Sequence, residues 1–331
     1  MRLPPSDTPG KTPEVLASSS TVKHGKSRLL KSYAMVSLLV IFAVIAWSTA
    51  GNDFKPWANP FIRSALAFQQ MTTADSVRQN AVWLPDFQVE IDAKPIVGVK
   101  DDVSGLTYDP DRRSLFAVTN KRPEIIELSL DGDVLRRIPL SGVADPEAIE
   151  YISPGRYVIT DERRQAVIEV VIDETTERLD VQHNSQVAIG IGRNGNLGFE
   201  GLAYDRAGGR LFVAKERDPM QIYEITGFPF AGRPASALQI HDNPAYTKAL
   251  PLRDLSSLYF DARTGHLLAL SDESRLIVEL DKAGKAISKM SLRAGKHGLK
   301  RKIPQAEGLA MDDAGKLYVV SEPNLFYKFS R

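Results

Sequence analysis

Apolar and polar positions along the chain fall into a two-part phrase that recurs five times. In its clearest copy, Phe199-Glu200-Gly201-Leu202-Ala203-Tyr204-Asp205 is followed, after a short polar turn, by Leu211-Phe212-Val213-Ala214-Lys215-Glu216. The other copies open at Val103, Pro146, Leu255 and Ala306, a spacing of roughly 43 to 56 residues. Self-similarity at such a period marks a solenoid, a propeller or an array. The first copy shows what one unit contains. Residues 105–108 form a short strand, Asp109-Pro110-Asp111 turns the chain, and 114–119 form a second, wholly apolar-centred strand. Residues 124–130 give a third strand, Asp131-Gly132 supplies a hairpin turn, and 133–140 complete a fourth. Four antiparallel strands in about 40–55 residues make a propeller blade.

The fifth copy ends the chain after its third strand. The missing fourth is expected from Phe87-Gln88-Val89-Glu90-Ile91, whose apolar residues alternate. An N-terminal strand completing the last blade closes the ring and removes exposed edges. The predicted fold is therefore an all-β, five-bladed β-propeller over 86–331. Six blades is the alternative, because the long segments 174–198 and 226–252 have room for further strands. A pair of β-sandwiches does not explain the repeated phrase.

The N-terminal part has a different pattern. Residues 1–31 are rich in Pro, Ser, Thr and Lys, have no apolar period, and read as disordered. Lys23, Lys26, Arg28 and Lys31 then precede an uncharged run over 32–52. About 20 such residues suffice to span a bilayer as a helix. The basic flank predicts a cytoplasmic N-terminus, with Trp47 at the far interface and the remaining chain outside. Ser48-Thr49-Ala50 offers a signal-cleavage alternative; the long basic segment and the long apolar run favour a retained anchor. Residues 53–85 read as a juxtamembrane linker, with a weak helical pattern over 66–82.

Composition narrows the chemistry. The chain of 331 residues is 43% hydrophobic and 25% charged, with a net charge of +1, so nothing points to nucleic acid as a partner. There is no cysteine, which removes disulfides, thiolate catalysis and sulfur-ligated metals. The five histidines are scattered, which argues against zinc.

In a propeller the innermost strands surround a channel, so equivalent positions form rings. The first ring is Ser104, Glu147, Glu200, Ser256 and Glu307. The second, at the end of the second strands, is Asn120, Asp161, Glu216, Asp272 and Glu322. All ten carry oxygen and seven are carboxylates. Lys121, Lys215 and Arg217 lie beside the second ring and would offset part of its charge. Crowded like charges repel unless protonated or bound to a cation. A hard divalent ion, Ca²⁺ first, resolves the repulsion with oxygen ligands. The expected ligands are Glu147, Glu200 and Glu307, with Asp161, Glu216 and Asp272 as further oxygens. The opposing reading is that these acids form turns or solvated strand ends with no ligand. Glycine after the ring residue (Gly105, Gly201, Gly308) would allow close backbone approach near the axis. Gly190-Ile191-Gly192-Arg193-Asn194-Gly195 lacks the strand–helix context of a phosphate loop and reads as a loop over the channel mouth. Ser104 and Ser256 have no evident His/Asp partners for a nucleophilic triad.

Asp102-Val103-Ser104-Gly105-Leu106-Thr107-Tyr108-Asp109, then Phe116-Ala117-Val118-Thr119-Asn120-Lys121, then Asp145-Pro146-Glu147-Ala148-Ile149-Glu150-Tyr151 resemble the SdiA-regulated family. The resemblance covers about 87–331, and the preceding apolar run fits the same layout. It implies a C-terminal five-bladed propeller with a calcium site, distantly related to NHL-repeat proteins. It also implies a bacterial inner-membrane protein with a single pass and a periplasmic C-terminal domain. Glu147-Ala148 departs from the Ser-Gly or Glu-Gly of other copies. A shorter likeness, Glu200-Gly201 with Asp161 or Asp272, is to gluconolactonase-type metal-dependent hydrolases. Two functions follow as expectations. One is a membrane-anchored, extracytoplasmic Ca²⁺-binding module with a protein or small-molecule ligand at the propeller face. The other is a hydrolase or lyase whose channel cation polarises a carbonyl or activates water.

Overall fold

The structure, a computed structural model, describes residues 75–100, 102–190, 198–230, 237–248 and 250–331. Residues 76–331 form one compact unit. The apolar run 32–52, the segment before it and residues 53–74 lie outside the described residues. Among the described residues, no helix is long and apolar enough to cross a membrane.

Five sheets of antiparallel strands follow one another in chain order. The first contains β2 (Val103–Asp109), β3 (Ser114–Thr119), β4 (Glu124–Leu128) and β5 (Val134–Ser141), with β1 (Gln88–Pro95) lying before it in sequence. The second is β6 (Ile149–Ser153), β7 (Arg156–Asp161) and β8 (Ala166–Val171); β9 (Leu179–Asp180) turns back to join β5 in parallel, and β10 (Gln186–Ala188) completes the second sheet. The third is β11 (Phe199–Asp205), β12 (Arg210–Lys215), β13 (Gln221–Thr226) and β14 (Gln239–Asp242). The fourth is β15 (Ser257–Asp261), β16 (His266–Ser271), β17 (Leu276–Leu280) and β18 (Ala286–Ser291). The last is β19 (Ala306–Met311), β20 (Leu317–Ser321) and β21 (Leu325–Ser330), and its fourth strand is β1, with Val89 opposite Phe329 and Pro95 opposite Leu325. The long segments 174–198 and 226–252 hold β9, β10 and β14, which are outer strands. Among the described residues they make no sixth blade.

Ring closure is visible in the core. Each of five apolar clusters lies between two neighbouring sheets. Phe116 and Val118 meet Tyr157 and Ile159; Val158 meets Val213; Phe212 meets Leu267 and Ala269; Leu268 and Leu270 meet Val319. Tyr318 and Val320 then meet Leu115 and Ala117, returning to the first sheet. Alternate residues of a strand point to opposite faces, so each second strand feeds two clusters. That is why β3 and β20 are buried along their whole length and read as continuous apolar runs. The outer strands face solvent, and β5 alternates accordingly.

Two local devices shape the blades. The aspartate closing the first half of the phrase is a turn former. Asp109 accepts the amides of Asp111 (2.8 Å) and Arg112 (3.0 Å), and Asp205 that of Gly208 (2.9 Å). The glycines after the first-ring residues permit contact between sheets. A Cβ on Gly105, at φ +58°, would stand 2.7 Å from Ala148 Cα, and one on Gly308 would stand 2.8 Å from the Gly105 carbonyl carbon.

The compact unit begins before the strand that closes the ring. Val82 and Leu84, in the stretch read from sequence as linker, are buried in the cluster between the fourth and fifth sheets. Residues 75–79 are helical. The anchor of this stretch is Glu279, fully buried, whose carboxylate accepts the amides of Val82 (2.7 Å) and Trp83 (3.0 Å) and the Ser288 hydroxyl (2.6 Å), with His266 Nδ1 at 2.8 Å. Buried donors left without partners cost about 1–3 kcal/mol each. Glu279→Ala is therefore expected to destabilise the propeller by roughly 3 kcal/mol, measured as a lower urea midpoint with an unchanged slope.

Candidate metal centre

The innermost strands β2, β6, β11, β15 and β19 touch in chain order, and β19 returns to β2. Their first residues therefore converge. In β11 and β19 the pairing register slips at the ring residue, between Phe199 and Gly201 and between Ala306 and Gly308. Glu200 and Glu307 are thus the extra residues of β-bulges, a device that re-aims a side chain without breaking the sheet.

The second ring is fixed by backbone hydrogen bonds at the ends of the second strands. The amide of Glu162 donates to Asp145 O (2.9 Å), that of Glu216 to Gly198 O (3.1 Å), and that of Glu322 to Gln305 O (2.9 Å). Glu162 therefore occupies the position that the sequence reading gave to Asp161. A shift of one residue in a strand moves the side chain to the opposite face. Asp161 is fully buried, accepts the amides of Ala144 (3.1 Å) and Arg164 (3.1 Å), and caps a turn. It lies outside both carboxylate groups described next.

Two trios of carboxylates come together, each with its ligand oxygens within 4.8 Å of one another. One is Asp145, Glu147 and Glu162; the other is Glu162, Glu200 and Glu216. Oxygens bound to one Ca²⁺ at about 2.4 Å can stand at most about 4.8 Å apart, so each trio has the span of a shared ion. Glu162 belongs to both. It is 1% exposed; its Oε1 accepts the Gly198 amide (2.9 Å), and its Oε2 has no hydrogen-bond partner. Gly198 makes room for it, because a Cβ there would stand 2.6 Å from Glu162 Cγ. Another buried oxygen without a partner, Asn120 Oδ1, belongs to the same rings, and Asn120 Nδ2 donates to Glu147 Oε1 at 3.1 Å. A buried polar atom without a partner needs an explanation, and an ion is one.

The remaining predicted residues extend the acidic wall. Asp272 Oδ1 accepts the Ala306 amide (3.3 Å), and Glu322 accepts from Gln305 Nε2 (2.9 Å). Ser256 donates to Asp254 (3.3 Å), a buried acid two residues upstream. Asp254 and Asp145 share this upstream place, which the two-ring reading did not include. Of the expected counter-charges, Arg217 meets Glu216 at 3.1 Å, and Lys121 pairs with Asp102. Lys215 takes no part: it is 1% exposed, and its Nζ donates to the carbonyls of Arg217 and Pro219. Most of Gly190–Gly195 falls outside the described residues.

Burial dominates the acidities. It pushes Glu147 up to about 8, with the Ser104 and Asn120 side chains opposing it by hydrogen bonding and Glu162 and Asp145 adding repulsion. Burial likewise raises Glu216 and Glu322 to about 7. Glu200 is held well above the ordinary carboxylate range by burial, then by Glu216, Glu307, Glu147 and Glu162. Glu307 is also held well above it, by burial and then by Glu322 and Asp272. Without a cation these groups keep protons that free carboxylates lose.

Solved structures of similar shape are distant in sequence. A nidogen/laminin complex chain is 15% identical with a TM-score of 0.41, covering 66% of this chain and 72% of that one. A catalytically inactive virginiamycin B lyase from Staphylococcus aureus, solved with quinupristin, is 13% identical at 0.40, covering 69% and 66%. A luciferin-regenerating enzyme is 13% identical at 0.46, covering 75% and 95%. In sequence the match is direct: the SdiA-regulated family profile spans residues 79–330, and this chain belongs to that family.

Proposed function

We propose that this protein is a membrane-anchored, extracytoplasmic propeller of the bacterial envelope that binds Ca²⁺ at its axial carboxylates and uses the ion-loaded mouth as a binding surface. The observation that carries the reading is Glu162. A carboxylate that is 1% exposed, with one oxygen unpartnered and four further acids within ligand distance, is costly unless a cation or a proton neutralises it. The donor set is all oxygen, which suits a hard ion with six to eight ligands, and Asn120 Oδ1 adds a neutral donor. Glu147, Glu162, Glu200 and Glu216 would hold the ion, with Asp145 beside them; Glu307 and Asp272 add to the field that attracts it. The ion supplies charge neutralisation, while the chain supplies the bulges and the Gly198 gap that fix the oxygens. The anchor rests on the uncharged run 32–52 and its basic flank.

Calcium titration of the unit 76–331 by calorimetry and thermal melting tests the ion site. Ca²⁺ is expected to raise the melting temperature. Glu162→Gln and Glu200→Gln should each lower affinity at least about tenfold, and Gly198→Ala should do the same without removing a charge. Unchanged melting on addition of Ca²⁺ would sink the reading.

A pH dependence follows from the raised acidities. In the folded state Glu147 holds its proton up to about 8, whereas the unfolded chain releases it near 4.5. The folded state therefore binds more protons in this window, and stability falls as pH rises through it. Melting of the ion-free protein should drop between pH 5 and pH 8, and excess Ca²⁺ should flatten the slope. Glu150, bonded to Thr107 (3.0 Å) outside the two trios, is also raised to about 8 by burial and would retain its share of the slope.

A further inference from the structure

We infer that the site is binuclear, with Glu162 bridging two cations between the second and third blades. The inference rests on the calcium reading above and sharpens it. The two trios share only Glu162, and each has oxygens within 4.8 Å of one another. The carboxylate of Glu162 offers about four lone-pair directions. The Gly198 amide takes one of these on Oε1, and Oε2 is wholly unused. One oxygen set therefore has the capacity to serve both sides.

Charge is left unmet in both trios. Asp145, Glu147, Glu162, Glu200 and Glu216 are joined by Glu307, which repels both Glu147 and Glu200. Two of these six are paired, Asp145 with Arg163 at 2.9 Å and Glu216 with Arg217 at 3.1 Å. Glu147, Glu162, Glu200 and Glu307 are left without an arginine, so each trio keeps carboxylates that only a proton or a cation neutralises. Each trio has one acid paired with an arginine, Asp145 or Glu216, which leaves Glu147 in the first and Glu200 in the second as the unpaired companion of Glu162. The first position has a further donor of its own, because Asn120 contacts Glu147 and its Oδ1 is unpartnered.

The test is the number of ions bound by the unit 76–331, from equilibrium dialysis and calorimetric stoichiometry. Anomalous scattering from crystals soaked in Mn²⁺ as a Ca²⁺ substitute gives their positions. The expected result is two Ca²⁺ per chain and two anomalous peaks about 4 Å apart on either side of Glu162, the spacing of carboxylate-bridged pairs. Asp145→Asn and Glu216→Gln should each reduce the count to one, and Glu162→Gln should weaken both positions. One ion per chain, or a single peak, would overturn the binuclear site and leave the calcium reading standing; no bound ion would remove both. Two ions with peaks away from Glu162, or a count untouched by Asp145→Asn and Glu216→Gln, would also overturn it. The stoichiometry and peaks of the unsubstituted protein decide the matter even where a variant fails to fold.

Discussion

The contact of five innermost strands around one axis is the constraint from which the rest follows. Backbone from adjacent blades can approach this closely only where side chains are absent or minimal. Gly105 lies against Ala148, Gly201 against Ser257 and Leu258, and Gly308 against Gly105. Once the strands meet there, the residue before each glycine, or before its alanine or serine counterpart, has nowhere to go but the axis. Placing glutamate at three of those positions creates a field that no single blade would contain. The acidity of the centre is thus a property of ring closure, and local sequence contributes only the residue type.

The same geometry explains which parts of the fold were legible in the sequence. A blade flanked on both sides buries both faces of its second and third strands, so runs such as Leu115-Phe116-Ala117-Val118 stand out and repeat. The closing strand could be inferred because the last repeat is one strand short and the alternating stretch before the first repeat supplies it. Outer strands were harder to find. β14 is exposed along its length and carries no apolar signal, which kept six blades open as an alternative.

The site was legible as a composition of rings and less so as a set of ligands. Thr160-Asp161-Glu162 offers two adjacent acids, and only the hydrogen bond from the Glu162 amide to Asp145 O decides which one continues the ring. Asp145 and Asp254 lie one alternation upstream of the ring residues, outside the repeated phrase as it was aligned. A comparison of Asp102-Val103-Ser104, Asp145-Pro146-Glu147 and Asp254-Leu255-Ser256 contains that signal. Counter-charges were the least legible. Lys215 neighbours an acid in sequence, yet its position matches Thr119 and Ser271: like the Thr119 hydroxyl its Nζ is taken up by backbone carbonyls, while Ser271 donates to the Asp254 carboxylate.

The stretch ahead of the closing strand adds a mechanical consequence. A chain held only by β1 would peel from the sheet edge one hydrogen bond at a time when pulled from its N-terminal side. Here a load applied upstream of residue 81 meets Arg263, which donates to Ala81 O, and then the Glu279 carboxylate, which grips two consecutive amides from inside a different blade. Arg331, at the other end of the chain, adds a bond to Val82 O at 3.2 Å. Tension is thereby shared between the fourth and fifth blades before it reaches the seam that closes the ring, so a pull on the N-terminal side does not begin by unzipping it.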